Sequence, residues 1–148
     1  HGVGASTFSD WWAYKFEVND AIPFNGPIMH NAGIVVAYNS DDAEMSRRLN
    51  QEAAKAVKYG NVSEEDAWKF VTLNPAKLLH IDDKVGSIKV GKDADIVLWS
   101  TNPLSIYAKA EKIQERHRDY TSIPFGVSRP LQHECDANLS AFNSGMLP

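Results

Sequence analysis

Two aspartates, Asp41 and Asp42, stand just after the apolar run Ile34-Val35-Val36-Ala37-Tyr38. A nearly unbroken run of that kind fits a strand covered on both faces, as in a parallel sheet. Asp41 is the only acidic group directly at the end of a clear strand, where a carboxylate can serve acid–base chemistry. It also has a plain structural use. Asp41-x-x-Glu44 ahead of an apolar-periodic helix is an N-terminal capping pair. Asp42 suits the first turn, where the helix dipole favours acids. A second candidate region is aromatic. Trp11, Trp12 and Tyr14 offer large apolar surfaces with polar tips, and Lys15 and Glu17 can orient a charged substrate. These residues form a candidate wall of a substrate pocket, or equally they pack the loop onto the scaffold.

Metal-ligand spacing is missing. The histidines are His1, His30, His80, His117 and His133, and no pair has His-x-His or His-Glu-x-x-His spacing. The single Cys135 excludes an internal disulfide framework and a four-cysteine zinc knuckle. His133-Glu134-Cys135 has no companion pair, and Arg116-His117-Arg118 reads as a solvated charge run. The segment 86–92 nearly spells a phosphate-binding loop. However, Asp93 stands where Ser or Thr would hold magnesium, and a strand follows where a helix is needed. Two turn glycines, with Lys92 and the aspartates solvated, explain it more simply.

The elements that must position these groups alternate. Residues 3–8 read as a short buried strand, and 9–27 as a large ordered loop with some helix. Pro27 suits the first turn of a short helix ending near Asn31, with Gly33 just past it. After the strand at 34–38, Met45, Leu49, Ala53, Ala56 and Val57 make one apolar stripe, predicting a long helix that Gly60 terminates. Ser63 caps a helix carrying Ala67, Phe70 and Val71, and Asn74-Pro75 restarts a short one that buries Leu78 and Leu79. Strand–helix alternation points to a parallel α/β arrangement. Val85-Gly86-Ser87-Ile88 then reads as a short β piece, and 94–99 as a strand of an appended antiparallel element. After Lys112 no helix or strand period is visible.

The 148 residues include 43% hydrophobic residues, enough for a real core. With 15 Lys+Arg against 19 Asp+Glu, the net charge of −4 lacks the basic excess that nucleic acid requires. No apolar stretch approaches the roughly 20 residues of a membrane-spanning helix. Neither nucleic acid nor membrane is expected as a partner. The chain starts at His1 and not Met, and is read as the downstream piece of something longer.

Asn74-Pro75-Ala76-Lys77-Leu78-Leu79, the stretch 85–99 (Val-Gly-Ser-Ile-Lys-Val-Gly-Lys-Asp-Ala-Asp-Ile-Val-Leu-Trp) and Asn102-Pro103-Leu104 together strongly resemble the C-terminal signature of the amidohydrolase superfamily. The resemblance is greatest to its imidazolonepropionase-like branch. Upstream, Thr7-Phe8-Ser9-Asp10-Trp11-Trp12-Ala13-Tyr14-Lys15 and Asn39-Ser40-Asp41 are similar to one subgroup. The likeness covers about residues 1–112. It implies the C-terminal part of a (β/α)8 metal-dependent hydrolase barrel plus strands of a small composite β-sandwich. Residues 1–80 would be βα units of the barrel, 81–112 sandwich strands, and 113–148 a divergent, irregular tail. A whole barrel needs ~250 residues, so the chain would hold only its last two strands.

By the same resemblance, Asp41 is the aspartate that ligates a divalent metal, zinc in the first instance, or takes a proton from the water the metal activates. The remaining ligands, histidines and often a carbamylated lysine, would come from earlier strands outside this chain. The expected activity is hydrolysis of a C–N bond in a small amide, cyclic amide or peptide-like substrate. The isolated chain is expected to be inactive, to expose strand edges and apolar faces, and to need the N-terminal half of the same enzyme or a partner chain. The rival reading is a non-catalytic binding or structural module in which Asp41 only caps a helix.

Overall fold

A computed structural model describes residues 2–115 and 118–121. Strands β1 (Ala5–Thr7) and β2 (Val36–Tyr38) pair in parallel, with Ala5 opposite Val36 and Thr7 opposite Tyr38. A parallel pair needs a crossover. It is supplied by the loop after β1, a 3-10 turn at Phe16–Val18 and helix α1 (Asn25–Asn31). Helices α2 (Ala43–Ser46), α3 (Leu49–Gly60), α4 (Glu64–Lys69) and α5 (Leu73–Leu78) follow β2. Strands β3 (Ile96–Trp99), β4 (Ala110–Glu115) and β5 (Arg118–Thr121) form a separate antiparallel sheet in that order.

β2 is buried along its whole length, as its apolar run requires. One edge pairs with β1. On the other, the Tyr38 N–H donates to the Phe70 carbonyl (2.9 Å) and the Asn74 side-chain amide donates to the Val36 carbonyl (2.7 Å). Two polar groups of that edge are thus met by the α4–α5 segment, and Asn74 of the Asn-Pro motif is buried where it makes one of these bonds. The core gathers around this strand: Val36, Tyr38, Ala56, Val62, Ala67 and Phe70, flanked by Met29, Val57 and Val71. Phe70 stacks edge-on against Tyr38 and against His30, each at 5.3 Å between ring centres.

Several expectations need correction. The long helix after β2 is broken: Arg47 and Arg48 separate α2 from α3, and the terminal left-handed cap of α3 is Asn61 (φ 53) following Gly60. α5 buries Asn74 and Ala76, whereas Leu79 lies outside it and is exposed. Val85-Gly86-Ser87-Ile88 is not a strand. It is a turn segment with Gly86 at φ 85, and Lys92 ties it together by donating to the Asp82 carbonyl and to the Ser87 hydroxyl. Lys92 is thus a staple and not a solvated charge. The pattern also continues beyond Lys112: β4 runs to Glu115 and β5 to Thr121, pairing Ile113 with Tyr120. Residues 113–115 and 118–121 of the segment expected to be irregular are therefore in strands. His1, Arg116, His117 and all of 122–148, including His133 and Cys135, lie outside the described residues. No helix among the described residues is long and apolar enough to cross a membrane.

Candidate functional site

Parallel pairing puts the carboxyl ends of β1 and β2 side by side, so the loops leaving them are neighbours. The Asn39 N–H donates to the Thr7 carbonyl (3.1 Å), and the Asn39 amide reaches the Ser6 hydroxyl (2.7 Å). One residue after Asn39, the Ser40 carbonyl accepts from the Trp11 indole N–H (2.9 Å). The aromatic loop and the segment carrying Asp41 are thereby held together at one edge. Trp11 itself packs edge-on against Phe8 and Tyr14. Its role is to fasten the loop, while Trp12, Tyr14 and Lys15 present exposed side chains. No hydrogen bond or ion pair links Trp12, Tyr14 or Lys15 to Asp41.

The two aspartates divide their roles differently from the spacing. Asp42, extended at φ −154, is the N-cap of α2: its Oδ1 accepts from the backbone N–H groups of Glu44 (2.9 Å) and Met45 (2.8 Å). Asp41 is not the cap. Its backbone is left-handed (φ 50), a conformation that Asp tolerates better than most residues. Its side chain is exposed and is held by no hydrogen bond or ion pair among the described residues. A carboxylate at the end of β2, with its neighbour meeting the helix's needs, is available for chemistry. The capping role expected of Asp41 therefore falls to Asp42.

Sequence reasoning missed what lies beneath. Glu52 of α3 is 6% exposed, yet it carries a carboxylate. That group accepts from the Ser9 hydroxyl and binds Lys55 through both oxygens (2.8 and 2.9 Å). Lys55 also meets Asp10 at 2.8 Å. Next to this cluster the Tyr38 hydroxyl is buried without a partner among the described residues. Its pKa is pushed up, chiefly by burial and secondarily by the charge of Glu52. The available signal was register: Glu52 falls three residues after Leu49 and four before Ala56, on the apolar stripe where a charge is out of place.

The two described histidines, His30 and His80, do not join Asp41 in a metal-binding group. His30 sits in α1 against Phe70, 4.0 Å from Asp66, and His80 takes the left-handed position (φ 56) after α5. A lone hard-oxygen donor such as Asp41 fits one place in a metal shell. No group of three His, Cys, Asp or Glu that could hold a metal ion comes together among the described residues. A cleft of about 1020 Å³ lies elsewhere, between α4 and β3, with Trp68, Trp99, Ile88 and Val90 in its walls.

The sequence profile of the amidohydrolase family matches residues 25–128. The chain belongs to the amidohydrolase family. Among curated relatives, amidohydrolase tasK of Hapsidospora irregularis is 35% identical over 102 residues, covering 68% of this chain and 10% of that protein. The imidazolonepropionase of Picrophilus torridus is 43% identical over 70 residues, covering 46% of this chain and 18% of that protein. A solved amidohydrolase from Thermotoga maritima superposes with a TM-score of 0.67 at 31% identity, over 78% of this chain and 30% of that one. This chain thus spans less than a third of the length of each of these relatives. Its described fold corresponds to part of an amidohydrolase fold, and the family match continues past Lys112 to residue 128.

Proposed function

We propose that this amidohydrolase chain supplies the downstream strands, the aromatic loop and one carboxylate of a metal-dependent hydrolase acting on C–N bonds. β1 and β2 would be the last two strands of a barrel, and β3 to β5 part of a composite sandwich. The rest, including most metal ligands, would come from an N-terminal half or a partner chain. The observation that carries this reading is Asp41: a carboxylate with no hydrogen bond or ion pair among the described residues, at the carboxyl end of a buried parallel strand, beside an aromatic loop. Catalytic groups of (β/α)8 enzymes occupy that end of the strands.

A divalent metal bound there, zinc being the expected ion, would draw the pKa of water toward neutrality and polarise the substrate carbonyl. The chain's own part is proton handling and positioning. One Oδ of Asp41 takes the proton of the attacking water as its oxygen bonds to the amide carbon. The same Oδ returns that proton to the nitrogen as the C–N bond breaks, so the leaving group departs as a neutral amine. Trp12 and Tyr14 offer apolar faces beside the reacting amide, Lys15 a charge for an anionic substituent, and Trp11 keeps that wall fastened to Ser40.

The test is hydrolysis of a panel of small linear and cyclic amides by the whole protein, before and after treatment with a chelator. Turnover is expected to vanish on chelation and to return with zinc, while the 148-residue chain alone hydrolyses nothing. Turnover unaffected by metal removal would refute the metal-dependent reading.

A further inference from the structure

We infer that Glu52 and Lys55 are positioning residues that lock the aromatic loop and, through it, the Asp41 segment. The inference rests in part on the function proposed above, because it assigns the lock to that site. Two consecutive loop residues are seized by one helical pair: Ser9, 2% exposed, by Glu52, and Asp10 by Lys55. The next residue, Trp11, donates to the Ser40 carbonyl, and Ser40 directly precedes Asp41. A chain of bonds therefore runs from α3 through residues 9–11 to the turn that bears the candidate proton acceptor.

The chemistry of the pair argues against a purely stabilising role. Desolvating Glu52 and Lys55 offsets most of their attraction, and apolar residues on this face would pack as well or better. What an ion pair adds is direction. Glu52 has oxygens for Lys55 and Ser9 at once, and Lys55 has a proton for Asp10, so the corner has one arrangement that satisfies every member. Asp10, Glu52 and Lys55 sum to one excess negative charge. Burial, and secondarily the Glu52 charge, keep the Tyr38 hydroxyl un-ionised.

Amide hydrogen exchange and kcat, measured on the whole protein with Glu52→Ala and Glu52→Gln, decide the matter. Glu52→Ala is expected to speed exchange at residues 9–15 and 39–42 by about tenfold, the loss of a hydrogen bond to a charged group, while β2 and α4 keep their protection. Glu52→Gln still accepts from Ser9 and leaves Lys55 with Asp10, so it should restore slow exchange and most of kcat. Unchanged exchange in Glu52→Ala overturns the proposal, as does acceleration throughout the molecule, which marks Glu52 as merely structural. A Glu52→Gln protein as loose as Glu52→Ala overturns it too. If exchange responds as expected but kcat does not, the link to Asp41 is wrong. If the unsubstituted protein cleaves no amide, the proposed function falls while the exchange result still judges the lock.

Discussion

Replacing Phe70 by Ala is expected to cost about 3–5 kcal/mol of unfolding free energy, out of the 5–15 kcal/mol typical of a domain. Phe70 is fully buried, and its ring touches those of Tyr38 and His30 edge-on. Small residues, Ala56 and Ala67, share this cluster, so they have no reach with which to fill the void. The effect would extend to the site. Tyr38 closes β2, and Asp41 follows three residues later. Denaturant unfolding of the whole protein checks this, with Phe70→Leu as a milder comparison expected to lose less. A Phe70→Ala protein within 1 kcal/mol of the original, on the scale of an ordinary surface change, would mean that this cluster is not the core.

The second large effect concerns activity. Asp41→Asn is expected to lower kcat by about 10²–10⁴-fold, the usual worth of a positioned acid–base group. Its midpoint of unfolding should stay unchanged, because the Asp41 side chain makes no hydrogen bond or ion pair among the described residues. Asn also tolerates the left-handed backbone at that position. Asp42→Ala should do the opposite. It removes the acceptor for the Glu44 and Met45 N–H groups, costing about 0.5–2 kcal/mol, and alters kcat far less. Steady-state kinetics beside thermal unfolding of both variants separates the roles. Equal kinetic losses would show that the two aspartates act only through the turn they share.

Much of this arrangement was legible from residue types. The apolar run marked β2, Pro27 lay within a helix ending at Asn31, and Ser63 capped α4 through the Asp66 N–H. The strand is shorter than its run because Ile34 is drawn into the turn after α1, its N–H bonded to the Met29 carbonyl. Which of two adjacent aspartates caps a helix depends on which one adopts the extended backbone, and spacing carries no information about that. The break at Arg47–Arg48 was hidden because Met45 and Leu49 keep helical spacing across it. β4 was hidden for a different reason. Ala110-Glu111-Lys112-Ile113-Gln114-Glu115 has no apolar alternation, and its strand exists by pairing with β3, Val97 opposite Ile113. The network of Ser9, Asp10, Glu52 and Lys55 joins residues more than forty positions apart, which only the packing of α3 against the β1 loop reveals.

The most direct measurement is an anomalous-diffraction structure of the whole protein grown with zinc. The expected result is an ion with an Asp41 carboxylate oxygen either in its shell, at about 2.0–2.2 Å, or hydrogen-bonded to a solvent molecule in that shell, with Asp42 still capping α2. Zinc bound only elsewhere, with the Asp41 carboxylate free in bulk solvent, would contradict the account.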